Sequence, residues 1–190
     1  MERHDSIRID PRAVVEDDAN IGEGTSIWHF SHVRGGSKIG RSCIIGKGAY
    51  VDIGVKIGDN CKIQNGVMLY NGVVLGDGVF VGPHAVFTND LRPRAHIWDE
   101  GRICRTEVLD GASIGANATI RCGITIGRWC MIAAGSVVTK DVPNHALMVG
   151  VPAKQVGWVT KSGEKMDLGV EEGFAGGSFK HQPTGEIVDL

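Results

Sequence analysis

The sequence predicts an all-β protein, a parallel β-helix built from six-residue repeats, and three observations carry that prediction. An apolar residue recurs at every sixth position through most of the chain, a small or β-branched residue stands two places before it, and glycine, 28 of the 190 residues, returns at short intervals. A six-residue period fits neither an amphipathic helix at 3.6 nor an alternating strand at 2. It fits a triangular prism, in which each hexad lays down one short strand and one corner, so that three hexads close one coil.

The first block of the repeat runs Ile9, Val15, Ile21, Ile27, Val33, Ile39, Ile45, Val51, Ile57, Ile63, Leu69, Leu75, Val81 and Phe87 without a break. Two places earlier stand Ala19, Thr25, Ser31, Ser37, Cys43, Ala49, Val55, Cys61, Val67, Val73, Val79 and Ala85, small enough for tight packing. Glycine follows the apolar position at Gly22, Gly40, Gly46, Gly58, Gly76 and Gly82, where it is expected to satisfy the corner's need for positive φ. The second block is Val108, Ile114, Ile120, Ile126, Ile132 and Val138. The 21 residues from Phe87 to Val108 are not a multiple of six, so an insertion interrupts the prism at 88–107. That stretch is charged and lacks the hexad, and is predicted to project from the body. Fourteen and six hexads make twenty, or six to seven coils at the ~4.8 Å spacing of neighbouring strands. This organises the chain as one β-helix domain over 1–158 and a polar, Gly-rich tail over 159–190, read as a poorly ordered or subunit-capping extension.

Composition narrows the function. Twenty basic against 22 acidic residues leave a net charge of −2, no field for nucleic acid or an anionic membrane. No stretch approaches ~18 consecutive apolar residues, and the opening Met-Glu-Arg-His-Asp-Ser lacks the apolar run of a signal peptide, so a cytoplasmic protein is expected. Five cysteines, an odd number without a C-x-x-C pair, point to reduced thiols.

Four stretches go beyond the hexad rule: I-W-H-F-S-H-V at 27–33, K-I-Q-N-G-V-M-L-Y at 62–70, V-F-V-G-P-H-A-V-F-T-N-D-L-R-P-R-A at 79–95, and V-G-V-P-A-K-Q-V-G-W at 149–158. Together they resemble the hexapeptide-repeat acyltransferases. Within these the chain is most similar to the bacterial sugar 3-N-acetyltransferases, above all those acting on UDP-2-acetamido-3-amino-2,3-dideoxyglucuronate, whose tails are echoed at Gly157, Trp158, Gly163, Glu164 and 183–185. The resemblance implies a left-handed coil, against the usual right hand of parallel crossovers. It further implies a homotrimer with sites in the clefts between subunits, acetyl-CoA as co-substrate, no metal, and a role in surface (lipo)polysaccharide synthesis.

Acetyl transfer needs an unprotonated amine, a donor for the developing oxyanion and a departing thiolate. By resemblance Asn89 lies beside the reacting amine and thioester. An amide is no base, so it would orient the amine and stabilise charge; the alternative is an Asn capping the turn into the insertion. His84 departs from the small polar residue of the family pattern and is a candidate general base. His29 is a candidate for the cleft, and His32 is read as a surface or contact residue. Gln64, Asn65 and Tyr70 suit hydrogen bonds and stacking to a uridine or thymidine base. Arg34 and Arg94 suit a diphosphate or a uronate carboxylate. For each of these the alternative is a solvated side chain. Ala134, Gly135 and Lys154 match the family's cofactor tunnel: backbone near Gly135 would take the pantetheine amides and Lys154 the CoA phosphates.

Rival readings remain on the same fold. A zinc hydratase similar to γ-class carbonic anhydrases needs three converging histidines; the chain has His29, His32, His84 and His96 but no G-H-x4-H on the later coils. A non-catalytic ice-binding helix would show outward threonine ranks, which are absent, and a scaffold has no need of the insertion. Among acetyltransferases the alternative acceptor is a dTDP-3-amino-3,6-dideoxyhexose, with serine or another amine less similar.

Overall fold

The computed structural model describes residues 6–97, 99–168 and 177–190. Successive hexads place their strands in three sheets in turn, here A, B and C, and each strand pairs in parallel with the one a coil later, as Met68 with Val86 and Val86 with Thr119 in sheet B. Twenty strands from Arg8–Ile9 to Val137–Val138 correspond to the twenty hexads. The fold is a left-handed parallel β-helix of hexapeptide repeats.

The sixth-position residues fill the prism. In sheet B the interior ladder Val33, Val51, Leu69, Phe87 and Ile120 is fully buried. The small residue two places earlier lies in the corner, where a hydroxyl ties coils together: Thr25 Oγ1 donates to the Gly40 carbonyl at 2.8 Å and accepts the Cys43 N–H at 2.9 Å. In the first described coil Ile9 is 43 % exposed.

The glycines after the apolar position act differently from the expectation. Positive φ falls two residues further on, at Gly48 and Gly66 among others, and at seven residues with side chains: Phe30, Ser42, Asn60, His84, Asn117, Trp129 and His145. At Gly22 and Gly82 what excludes a side chain is the next coil, because an added Cβ would lie 2.4 Å from the Gly40 carbonyl carbon and 2.6 Å from the Ala116 nitrogen.

The insertion leaves the corner between sheets B and C after Val86–Phe87 and rejoins sheet C at Thr106–Val108. It ends two residues earlier than expected, because Thr106 and Glu107 pair with Val73 and Val74. Its base is closed by the Cys104 N–H on the Asn89 carbonyl at 2.9 Å. Arg102 bridges its two sides, with Nε 3.1 Å from Asp90 Oδ2 and its guanidinium also on the Arg92 carbonyl. Residues 91–97 are exposed.

Beyond Val138 the coil continues without the hexad. Val142 bridges to Ile126, and Ala146–Gly150 adds a further parallel strand to sheet A before the chain folds back as Ala153–Val159. The described part of the tail forms strands. A strand runs across the 158/159 boundary, Lys165–Met166 pairs with it, Ser178–Lys180 pairs with Ile187–Asp189, and Met166 and Val188 are buried in the core. These apolar anchors do not recur at a six-residue spacing, so the hexad does not mark them. Among the described residues all five cysteines are free thiols, and no helix is long and apolar enough to cross a membrane.

Candidate functional site

The eighteen-residue coil places the predicted residues on two edges. His29, Gln64, Asn65, His84, Ala134 and Gly135 lie at the corner between sheets A and B; Arg34, Tyr70 and Asn89 lie at the corner between B and C, with Arg94 in the insertion that springs from it. Between the two edges, sheet B turns outward Val14, His32, Tyr50, Met68, Val86, Thr119 and Val137, a face without Lys, Arg, Asp or Glu. His84 and Asn89 flank the same strand on opposite edges, five residues apart, a span of up to roughly 17 Å when extended.

His84 occupies a corner at φ 58°, and its N–H donates to the Asn65 carbonyl at 2.9 Å. Its exposed ring lies over Gly66, where an added Cβ would come 2.5 Å from Nδ1. Asn65 Oδ1 accepts the Lys47 N–H at 2.9 Å, the same coil-to-coil bond that Asp59 and Asp77 make at 2.7 Å. That part of Asn65 serves the corner. Asn89 is half-buried at the mouth of the insertion. Arg94 is exposed and donates to the Pro93 carbonyl at 2.9 Å.

Arg34 is already engaged. Its Nε lies 2.8 Å from Glu16 Oε1, and its Nη1 lies 3.5 Å from Asp52 Oδ1 and 3.4 Å from the Tyr50 hydroxyl. Glu16 also accepts the Gly35 N–H at 2.7 Å and approaches His32 Nε2 at 3.2 Å. The Gly35 N–H, followed by His32 and Arg34, holds the Glu16 carboxyl below the usual carboxylate range. The Tyr50 hydroxyl and Glu16 raise Arg34, and burial, above all, pushes the Tyr50 phenol up. A substrate carboxylate at Arg34 would have to compete with two carboxylates of the chain itself. The tyrosine ring centroids of Tyr50 and Tyr70 are 5.6 Å apart, as are those of His32 and Tyr50. Sequence reasoning missed Glu16, Tyr50 and Asp52. The signal was the coil length: Glu16, Arg34, Asp52 and Tyr70 are spaced by eighteen and share one corner position.

At the far end of the A–B edge, Ala134 and Gly135 are exposed, and an added Cβ at Gly135 would meet nothing within 4 Å. The Gly135 N–H is spent on the Ala116 carbonyl at 2.8 Å. An amide of a bound pantetheine would therefore meet the carbonyls of this corner or the Ala134 N–H in place of the Gly135 N–H. The pairing of Ile132 with Met148 carries the turn at Gly150 to the coil beyond Ala134, and Lys154, exposed, pairs with Val149 beside that turn. Ala134, Gly135 and Lys154 thus share one end of one edge. Among the described residues no group of three or more His, Cys, Asp or Glu side chains is placed to hold a metal ion.

The hexads, the parallel stacking and the polar edges along an uncharged face define a hexapeptide-repeat β-helix protein. The family model for the bacterial transferase hexapeptide (six repeats) matches residues 18–52, 54–89 and 105–140, and the chain belongs to that family. It is similar to the dTDP-3-amino-3,6-dideoxy-alpha-D-galactopyranose 3-N-acetyltransferase of Aneurinibacillus thermoaerophilus, 50% identical over 62 residues that make up 33% of this chain and 32% of that protein. It is also similar to the bifunctional protein GlmU of Nostoc sp., 30% identical over 149 residues, 77% of this chain and 31% of that one. The chain thus spans about a third of the length of each of these relatives. Among solved structures, LpxA, a UDP-N-acetylglucosamine acyltransferase of Bacteroides fragilis, shares the fold with a TM-score of 0.67 at 19% identity, over 80% of this chain and 61% of that one.

Proposed function

We propose that the chain transfers the acetyl group of acetyl-CoA to the 3-amino group of a nucleotide-linked amino sugar, with UDP-2-acetamido-3-amino-2,3-dideoxyglucuronate as the leading acceptor, in surface polysaccharide synthesis. The observation that carries this reading is the distribution along sheet B: Ala134, Gly135 and Lys154 gather at one end of one edge, and Asn89 with Tyr70 lies along the other. The local identity to an enzyme named for a dTDP-3-amino sugar supports an amino-sugar acceptor and favours a dTDP-3-amino-3,6-dideoxyhexose as the second candidate.

In the reaction the amine nitrogen attacks the thioester carbonyl, the C–S bond breaks, and the amine proton leaves as CoA departs as a thiol. Asn89 would orient the amine, and His84 is the candidate to receive its proton. Because these two residues stand on opposite edges, one site using both takes Asn89 from one chain and the A–B edge from another. This argues for a homotrimer whose sites lie between subunits. Arg94 is the cation left to meet a uronate or diphosphate, and acetyl-CoA with reduced thiols fits a cytoplasmic protein.

The test is thiol release from acetyl-CoA with UDP- and dTDP-linked 3-amino sugars, each with and without a carboxylate at C6. Turnover confined to the UDP-uronate supports the leading acceptor, turnover only with the dTDP-deoxysugar promotes the second, and none with any of them rejects both.

A further inference from the structure

Along the B–C edge, the stretch one to two coils before Asn89 is built more firmly than a solvated surface requires. Tyr50 turns outward from sheet B with its hydroxyl clamped on both sides: it donates to Asp52 Oδ1 at 2.9 Å and accepts from Arg34 Nη1 at 3.4 Å. Asp52 is itself fixed, because Oδ1 also accepts the Ile53 N–H at 2.8 Å and Oδ2 the Asn71 N–H at 3.2 Å. Arg34 is held from its other side by Glu16, which Gly35 and His32 fix in turn. The product of this network is a tyrosine ring with little freedom. The ring of Tyr70 leans on it with planes 57° apart and remains 37 % exposed.

One guanidinium between two carboxylates and a rigid aromatic area suit a flat, uncharged π-system better than an anion, since Glu16 and Asp52 together outweigh Arg34 and would repel phosphate. Position agrees. Tyr70 shares its corner place with Thr88, one coil before the residue beside Asn89, and Tyr50 lies two coils before Val86. Two coils amount to about 10 Å, a distance that a ribose and a diphosphate bridge between a sugar and its base.

We propose that the Tyr50–Tyr70 pair is the stacking surface for the nucleobase of the sugar nucleotide, with Arg34 and Asp52 as positioning residues that fix the Tyr50 ring. This rests on the acceptor being a nucleotide-linked sugar. It gives Arg34 a role different from carboxylate or diphosphate binding and adds Tyr50, Asp52 and Glu16 to the site.

The experiment is binding of UDP alone, by titration calorimetry, to the wild-type chain and to Tyr50→Leu, Tyr70→Leu and Asp52→Asn, alongside KM and kcat for the sugar nucleotide. Stacking on one ring typically changes affinity by about tenfold or more. Tyr70→Leu should weaken UDP binding and raise KM by that factor with kcat within about twofold. Asp52→Asn should weaken binding less and bring the Tyr50 phenol back toward its ordinary titration, an effect read in the absence of ligand. Unchanged UDP affinity in Tyr70→Leu and Tyr50→Leu, or no UDP binding by a wild-type chain that turns over a UDP-linked sugar, overturns the proposal; for a chain that turns over only the dTDP-linked sugar the same readings are taken with dTDP. Tyr70 is exposed, so its variant remains informative even where Tyr50→Leu fails to fold. Absence of acetyl transfer to any amino sugar is a separate readout and rejects the parent reading.

Discussion

At His84 a backbone requirement and a chemical proposal can be separated. The residue sits at φ 58°, where a side chain costs about 1 kcal/mol relative to glycine. His84→Gly should therefore keep or raise Tm while removing the imidazole. If His84 receives the amine proton, kcat falls by about a hundredfold; a stable variant with unchanged kcat removes His84 from the chemistry and leaves Asn89 to work by orientation alone. The cysteines supply a second residue-scale outcome. Cys104 is half-exposed beside the Asn89 carbonyl, whereas Cys43, Cys61, Cys122 and Cys130 are buried, and burial pushes the Cys130 thiol up to about 12. Native protein treated with iodoacetamide at neutral pH should take one label, mapped to Cys104 by mass spectrometry, and the other four only after denaturation. Rapid labelling of a second cysteine would show that a coil opens more easily than its packing implies.

The same sixth-position residue has different weight at different coils. Ile63 is fully buried between two complete coils, so Ile63→Ala should cost about 2–5 kcal/mol in a denaturant melt; Ile9, 43 % exposed, should cost far less. The first coils also carry the acid-sensitive contacts. Hydrogen bonds hold Glu16 below its ordinary range, and the Arg12 guanidinium holds Asp10 down to about 2. A carboxylate lowered on folding stabilises the fold above its unfolded pKa, and that contribution is lost as pH falls through the folded value. Hydrogen-exchange protection of residues 8–35 should drop between about pH 4.5 and 2 before that of the central coils, and Glu16→Gln should flatten the change; equal loss along the whole prism would contradict it. These elements were legible because one hexad is one strand, and the six-residue count gave the twenty strands from Arg8–Ile9 to Val137–Val138. Legibility ended where the hexad did. Val142, Met166 and Val188 pack without periodic neighbours, and the glycines after each apolar residue were assigned a φ role when the real constraint, contact with the coil above, is invisible along one strand. The candidate site divides in the same way: Asn89 and Lys154 are proposed from local motifs, while the Glu16–Arg34–Asp52–Tyr70 corner emerges only when residues eighteen apart are set side by side.

For the molecule as a whole, the two edges of sheet B pose a question of assembly. A chain has its Ala134 end on the A–B edge and Asn89 on the B–C edge, with the full width of the sheet between them. If cofactor and acceptor meet between subunits, a variant blocked at one edge and a variant disabled at the other should rescue each other. Ala134→Trp fills the exposed corner proposed for the cofactor, and Asn89→Ala removes the amide proposed to orient the amine; each homo-oligomer should be nearly inactive. In trimers assembled at random from equal amounts of the two chains, an intact A–B edge from one meets an intact B–C edge from the other in about one quarter of sites. Co-refolded mixtures should therefore recover roughly a quarter of wild-type kcat, whereas the same two proteins mixed without exchange should recover none. Failure of the exchanged mixture, with hybrid trimers verified by native mass spectrometry, would mean that each site draws on one chain alone. The acceptor would then have to lie across the outward face of sheet B, over Tyr50, Met68 and Val86.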